Sequence, residues 1–255
     1  MKKAFIFLIF VLLVSAATIL LLRNKPVTEH HYIAHAGGAI DGHSYTNSLE
    51  AVENSLKKGM QFIELDLALT TDSVLVALHD WNSFNQLTES AQENSAMTYS
   101  EFKQQKIHGK YTPIDYLIID SIMSNNPDLY LVTDKLSNPE ILDKFLGKYR
   151  DRIVVEAFSE KDYFELKTRG YHDVMYSIYT SAIHPIHEIY RYQKLVNSVV
   201  TEIARLQDTQ KSTMHKLHHF ITNSWYGVFA AKNKSQADSI FEQYPEVKYV
   251  YIDEV

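Results

Sequence analysis

The chain has no cysteine among its 255 residues. That excludes a disulfide scaffold, thiolate-ligated zinc and a cysteine nucleophile. It has only eight glycines and six prolines, which excludes collagen-like and Pro/Gly-rich disordered chains. Positive charge is in short supply, with 25 Lys and Arg against 31 Asp and Glu and a formal net charge of −6. No internal repeat, low-complexity tract or interdomain linker interrupts the chain, and it holds a single long hydrophobic run. What remains is an ordinary globular balance, 45% hydrophobic and 22% charged. The length suits one large domain, and α/β barrels commonly reach this size.

The long apolar run extends from Ala4 to Leu22, with only Ser15 and Thr18 polar. Its length is close to the roughly 20 residues needed to span a bilayer. Lys2 and Lys3 precede it, and Arg23, Asn24, Lys25 and Pro26 end it. Val14-Ser15-Ala16 resembles a signal-peptidase site, but the apolar residues continue past it through Leu22. An uncleaved signal-anchor over residues 1–26 is therefore expected, with a cleaved signal peptide and a secreted or periplasmic product as the alternative. The basic residues favour an N-terminus inside and residues 27–255 outside the cytoplasm. Without the anchor's four basic residues the remainder carries 21 basic against 31 acidic groups. Such a domain does not attract nucleic acid, and nothing identifies a protein partner.

Beyond the anchor, β-branched and aromatic runs alternate with helix-like stretches. Strands are predicted at 32–36, 62–68, 74–79, 129–134, 153–158, 174–179, 198–203, 227–230 and 248–252. Helices are predicted at 48–58, 114–125, 139–148, 160–168, 185–196, 212–221 and 235–243. Only Thr70–Ser73 separates the second and third strands, too short for a parallel crossover, so they form an antiparallel hairpin. The other eight strands, linked by helical segments, predict a (β/α)8 TIM barrel. Residues 81–113 are polar and lack strand periodicity, and are expected to form an insertion over one barrel mouth.

The second strand reads Phe62-Ile63-Glu64-Leu65-Asp66-Leu67-Ala68-Leu69. Its odd-numbered residues form an apolar face for helices, which turns Glu64 and Asp66 together into the barrel. Two carboxylates there repel each other and lose hydration, and a hard divalent cation is the simplest compensation. A two-residue turn at Thr71-Asp72 sets His79 opposite Glu64, and one at Asp72-Ser73 sets it opposite Asp66. Either register puts an imidazole beside the carboxylates, with Asp80 next to it as an orienting group. His35 ends the first strand, where barrel active sites form. Gly37-Gly38 after it would let a ligand approach the backbone.

These residues form a pattern: His35-Ala36-Gly37-Gly38, Tyr45-Thr46-Asn47-Ser48-Leu49-Glu50-Ala51, Glu64-Leu65-Asp66 with Thr71-Asp72, and Leu78-His79-Asp80. The pattern resembles the glycerophosphodiester phosphodiesterase family, and Tyr251-Ile252-Asp253 looks like that family's last strand. The resemblance is strong over residues 32–80 and diffuse beyond. It implies a phosphoric diester hydrolase acting on a glycerophosphodiester or related envelope phosphodiester. It further implies Ca2+ or Mg2+ on Glu64 and Asp66, with His35 and His79 as general base and acid. Three positions depart from the family. Ala36 stands where an Arg is usual, and Thr46 stands where the Glu-Asn-Thr loop has its carboxylate, although Asn47 is kept. Thr133 stands where a third, Glu ligand is expected. Asp134 is the replacement ligand if the strand end bulges, with Glu156 as its substitute. Lys135, Asn47 and Trp81 are the expected substrate contacts, with a role for Trp81 in holding the insertion as the alternative. A lyase forming a cyclic phosphate, and a degenerate barrel binding lipid headgroups or glycans, are the rival functions. The histidine pairs His184/His187 and His215/His218 read as surface or packing residues, and His30-His31 as solvent-facing.

Overall fold

In the computed structural model, which describes residue 14 and residues 27–90, 95–177, 198–203, 206–207 and 224–255, the strands close on themselves. They are β1 (His31–Ala34), β2 (Phe62–Leu69), β3 (Leu75–Ala77), β4 (Tyr130–Asp134), β5 (Ile153–Ala157), β6 (Asp173–Ser177), β7 (Ser198–Glu202), β8 (Trp225–Asn233) and β9 (Val247–Glu254). All except β3 pair in parallel with the next in sequence, and β1 pairs with both β2 and β9, closing the ring. The result is the expected eight-stranded parallel barrel, with β3 outside the ring as the antiparallel arm of a hairpin on β2.

The described helices are α1 (Leu49–Lys57), α2 (Trp81–Leu87), α3 (Tyr99–Phe102), α4 (Tyr116–Asn125), α5 (Pro139–Leu146), α6 (Glu160–Thr168) and α7 (Lys234–Gln243). Local chemistry sets their ends. Asn138 and Ser159 cap the first turns of α5 and α6 by accepting from Ile141 N–H and Asp162 N–H, satisfying donors that have no partner within the helix. Gly59 and Gly170, both at positive φ, follow the ends of α1 and α6, where a left-handed residue stops a helix without steric cost.

Alternation along the strands separates two apolar layers. Ile63, Leu65 and Leu67 of β2, with Leu131 of β4 and Ile153 and Val155 of β5, pack outward against the helices. Ile33, Phe62, Val132, Val154, Met175, Val200, Tyr249 and Tyr251 fill the barrel interior. At the amino end of that interior His31 packs on Phe62 and Tyr249. It is half-buried, contrary to the solvent-facing expectation, because the first residue of β1 already belongs to the barrel lining.

The insertion is more organised than its polarity suggests. Its helices α2 and α3 contribute Phe84 and Phe102 to a third cluster with Val76, Leu78, Met97 and Ile107. The apolar run Ala4–Leu22 lies outside the described residues apart from Val14. Among the described residues no helix is long and apolar enough to cross a membrane. The helices expected at 185–196 and 212–221, and the histidine pairs His184/His187 and His215/His218, also lie outside the described residues.

Candidate active site

The carboxyl ends of the strands converge on a cavity of about 200 Å3. Its walls include His35, Glu64, Asp66, His79, Asp134, Lys135, Glu156 and Tyr251. It brings together both histidines and every carboxylate singled out as a possible ligand. Glu64 and Asp66 share the interior face of β2 with Phe62, as alternation requires.

Asp134 reaches the cavity without the expected bulge. Its strand is in phase with Val132, which lies inside the barrel, and its backbone is paired level with Asp66. Thr133 is therefore the residue that points away, and it is fully buried with no partner for its hydroxyl among the described residues. The irregularity falls one residue later. Lys135 takes a positive φ of 65°, and its Nζ lies 3.0 Å from Asp134 and 3.9 Å from Asp66. Glu156 is occupied otherwise, because Tyr251 donates to it.

One oxygen of each of Glu64, Asp66 and Asp134 lies within 4.8 Å of the others. Burial pushes the Glu64 carboxyl well above the usual range, and repulsion from Asp66 and Asp134 adds to the shift against the pull of the Ala36 N–H. Burial and Asp134 also raise Asp66, opposed by Asn47, His79 and Lys135. Glu64 Oε2 accepts from Ala36 N–H at 2.7 Å, whereas its buried Oε1 has no hydrogen-bond partner among the described residues. A buried carboxylate oxygen without a partner, on a residue clustered with two further carboxylates, is costly unless a cation joins it. The donor set, all hard oxygens, fits a divalent ion.

Asn47 is buried and both halves of its amide are used on Asp66. Its Nδ2 donates to Asp66 Oδ2 at 2.8 Å, and its Oδ1 accepts from Asp66 N–H at 3.0 Å. It therefore aims a carboxylate. Thr46 turns to Ser48 and is buried.

The hairpin register differs from both expectations. Leu67 pairs with Ala77 and Ala68 with Val76, so the loop is the odd-numbered Thr71-Asp72-Ser73. Ser73 adopts a left-handed conformation with φ of 61°, and Thr70 N–H closes the loop on Val74 O. Continued pairing would set His79 opposite Leu65, on the wrong face. The ladder ends first, with Leu78 N–H on Asp66 O, and the chain then turns into α2. Asp80 controls that turn. It caps α2 through Ser83 N–H at 2.8 Å and accepts from His79 Nδ1 at 2.7 Å. Its slight burial is outweighed by these hydrogen bonds, which pull its carboxyl down to about 2.

His35 has its own carboxylate. Its Nδ1 lies 2.8 Å from Asp253 Oδ1, and the edge of Tyr45 packs on its ring at 4.7 Å between centroids. Asp253 carries no assigned role in the sequence reading. The alternation of Tyr249, Tyr251 and Asp253 along the last strand is the signal that it faces inward.

Gly38 has a packing reason to be glycine. Gly38 has a φ of 92°, and a Cβ there would lie 2.3 Å from Ser55 Oγ of α1. Trp81 packs edge-on against Phe84 and Phe102, which makes it a staple of the insertion; it lies outside the cavity wall.

Comparison with known proteins places this architecture. The model of the glycerophosphoryl diester phosphodiesterase family matches residues 38–213. A lysophospholipase D of Mus musculus, GDPD3, is 41% identical over 59 residues, and the match spans 23% of this chain and 17% of that relative. A glycerophosphodiester phosphodiesterase of Thermotoga maritima superposes with a TM-score of 0.60 at 19% identity, covering 89% of this chain and 96% of that one. A phosphodiesterase of Oleispira antarctica, in complex with the product sn-glycerol-3-phosphate, superposes with a TM-score of 0.62 at 17% identity. It covers 88% of this chain and 92% of its own. At these identities the structural likenesses establish the fold.

Proposed function

The chain belongs to the glycerophosphoryl diester phosphodiesterase family, and from that membership we propose that it hydrolyses a phosphodiester, a glycerophosphodiester or a related envelope compound, at the cavity between His35 and His79. The observation that carries this reading is the triad of inward carboxylates with its unpartnered Glu64 Oε1, set between two histidines that each hold a carboxylate on Nδ1.

Glu64, Asp66 and Asp134 would hold a divalent cation, Ca2+ or Mg2+. Bound there, such an ion supplies Lewis-acid polarisation of the phosphoryl oxygens. The protein's own groups do the rest. Each Nδ1 contact leaves Nε2 as the reactive nitrogen of its histidine. His35 accepts a proton from water as the water oxygen bonds to phosphorus. His79 donates a proton to the alcohol oxygen as its P–O bond breaks. Lys135 lines the cavity with its ammonium 3.0 Å from Asp134, and we assign it the phosphate contact that Ala36 cannot make.

For the chain as a whole we propose residues 1–26 as a membrane anchor and residues 27–255 as an extracytoplasmic barrel with the insertion at 81–113. The apolar run Ala4–Leu22 and its basic flanks support that reading. Carbonate extraction and protease accessibility on intact cells test it. The protein should stay in the membrane pellet and be digested from outside, and release by carbonate or protection from protease overturns it.

The catalytic reading is tested on a panel of glycerophosphodiesters with EDTA or added Ca2+, Mg2+ or Mn2+. His35→Ala and His79→Ala should each lower kcat by about 10²–10⁴ while leaving the thermal unfolding profile in place. Near-normal turnover in either variant refutes the two-histidine assignment, and full turnover in EDTA refutes the metal.

A further inference from the structure

The chain is already fixed to the barrel at Val27. Val27 N–H donates to Pro245 O at 2.8 Å, His30 Nδ1 lies 2.7 Å from Val247 O, and the His30 ring packs on Phe241 at 4.5 Å between centroids. Pro245 sits between the end of α7 and the start of β9, so these contacts hold Val27 at the amino end of the strands. Only Arg23, Asn24, Lys25 and Pro26 separate Val27 from the apolar run that ends at Leu22. Fully extended, the stretch from Leu22 to Val27 reaches about 17 Å. The catalytic cavity opens at the opposite, carboxyl ends of the strands. The ten-residue α7, which spans the barrel wall, is by itself about 15 Å long, and the loops and the insertion at the far end add to that height. The spacer is therefore too short to bring the cavity round to a surface that holds the apolar run.

From this we infer that the amino-terminal face of the barrel rests on the headgroup layer of the membrane that holds Ala4–Leu22, and that the catalytic cavity opens away from that membrane into water. The inference rests on the anchor reading of residues 1–26 and goes beyond it in naming the face that meets lipid. The chemistry of that face fits the occupant. Phe62 stacks on Tyr130, and Tyr130 packs on His172. Trp225 packs edge-on to Tyr249, and the Lys248 ammonium lies over both rings. His172 is exposed, and Tyr130, Trp225 and Lys248 are partly so. Trp and Tyr, with an apolar ring and a polar tip, favour the membrane–water interface, and a Lys lays its stem along apolar surface while its head stays wet. Lys248 is paired with Asp173 at 2.6 Å, and the Glu29 side chain is exposed just before β1. The face therefore has no excess positive charge for anionic lipid and suits zwitterionic headgroups. With the barrel in this orientation, substrate enters from the aqueous side and not from the anchoring bilayer.

The chain's two tryptophans mark the two ends. Trp225 begins β8 at the amino end, and Trp81 begins α2, two residues after His79 in the cavity wall. The test uses the full-length protein in phosphatidylcholine nanodiscs, with and without a nitroxide on the lipid headgroup. Trp81→Phe leaves Trp225 as the fluorescent reporter, and Trp225→Phe leaves Trp81. Nitroxide lipid should quench Trp225 several-fold more than Trp81. Equal quenching, or stronger quenching of Trp81, overturns the inference. Should either variant not fold, the cysteine-free chain takes a single fluorophore at Asp128→Cys, in the exposed turn before β4, or at Asn82→Cys, exposed on α2. The label at 128 should then be quenched more than the label at 82, and the reverse order overturns the inference. Protein that does not co-elute with the nanodiscs refutes the anchor and the inference with it. Co-elution with the order reversed refutes the orientation alone. Neither readout uses turnover, so the result stands or falls separately from the hydrolase reading.

Discussion

Asp253 shows how a single residue gains its role. It lies more than 200 positions from His35 in sequence, yet accepts at 2.8 Å from the same imidazole that the strand-end motif marked out. Holding Nδ1 fixes which nitrogen faces the cavity, so Asp253 is a positioning residue for His35. Asp253→Asn should lower kcat by up to about 10⁴ with little change in KM, as expected when the wrong tautomer is held. Steady-state kinetics check this, and a rise in KM at unchanged kcat would mean that Asp253 binds substrate instead. Asn47 works in a similar way on Asp66. It was legible in the sequence as part of a motif, but its use as a carboxylate clamp depends on a left-handed backbone at residue 47, which no local pattern announces.

Elements position these residues through their ends. The β1–α1 connection passes through Ala36, Gly37 and Gly38, all at positive φ. That path brings Ala36 N–H onto Glu64 and packs Gly38 against Ser55. Gly38→Ala should destabilise the protein by about 1–3 kcal/mol, from backbone strain and the clash with α1. It should weaken activity as well, because the Ala36 N–H shifts with the turn. Urea unfolding measures the first effect, and an unchanged midpoint would show that α1 yields without cost. The hairpin teaches a related lesson. Its existence and its approximate turn were readable from the short spacer, but its register was not. A loop of three residues and one of two share the same sequence signals, and one residue decides which face follows. His79 reaches the cavity because Asp80 starts a helix there, an effect of capping and not of strand alternation.

At the scale of the whole molecule, the clustered carboxylates raise Glu64 by burial and mutual repulsion, so the site is expected to cost folding free energy unless a cation is bound. The raised Glu64 carboxyl contributes its full stability below its unfolded value of about 4.3, and loses it as pH rises through the higher folded value. In EDTA, Glu64→Gln should therefore melt above the wild type at pH 7, by about 2–4 °C for each kcal/mol of repulsion removed. The gap should shrink as pH falls toward 5. Saturating Ca2+ at about 100 times its Kd adds about 2.7 kcal/mol to the wild type and should reverse the order. Differential scanning calorimetry across pH, with and without Ca2+, checks this. A wild type that melts above the variant in EDTA would show that Lys135 already neutralises the cluster.

The sequence alone determined the alternation of strands and helices, the closure into eight parallel strands with one external hairpin, and the inward pairing of Glu64 with Asp66. These follow from periodicities of two and 3.6 residues and from spacer lengths, which are local. Tertiary structure decided which third carboxylate joins them, what holds each histidine, and what the insertion encloses. Thr133 and Asp134 are adjacent in sequence, and only pairing with β2 sets the phase that turns Asp134 inward. His35 and Asp253 meet only because the barrel closes. Neither of these long-range contacts leaves a periodic trace in the chain.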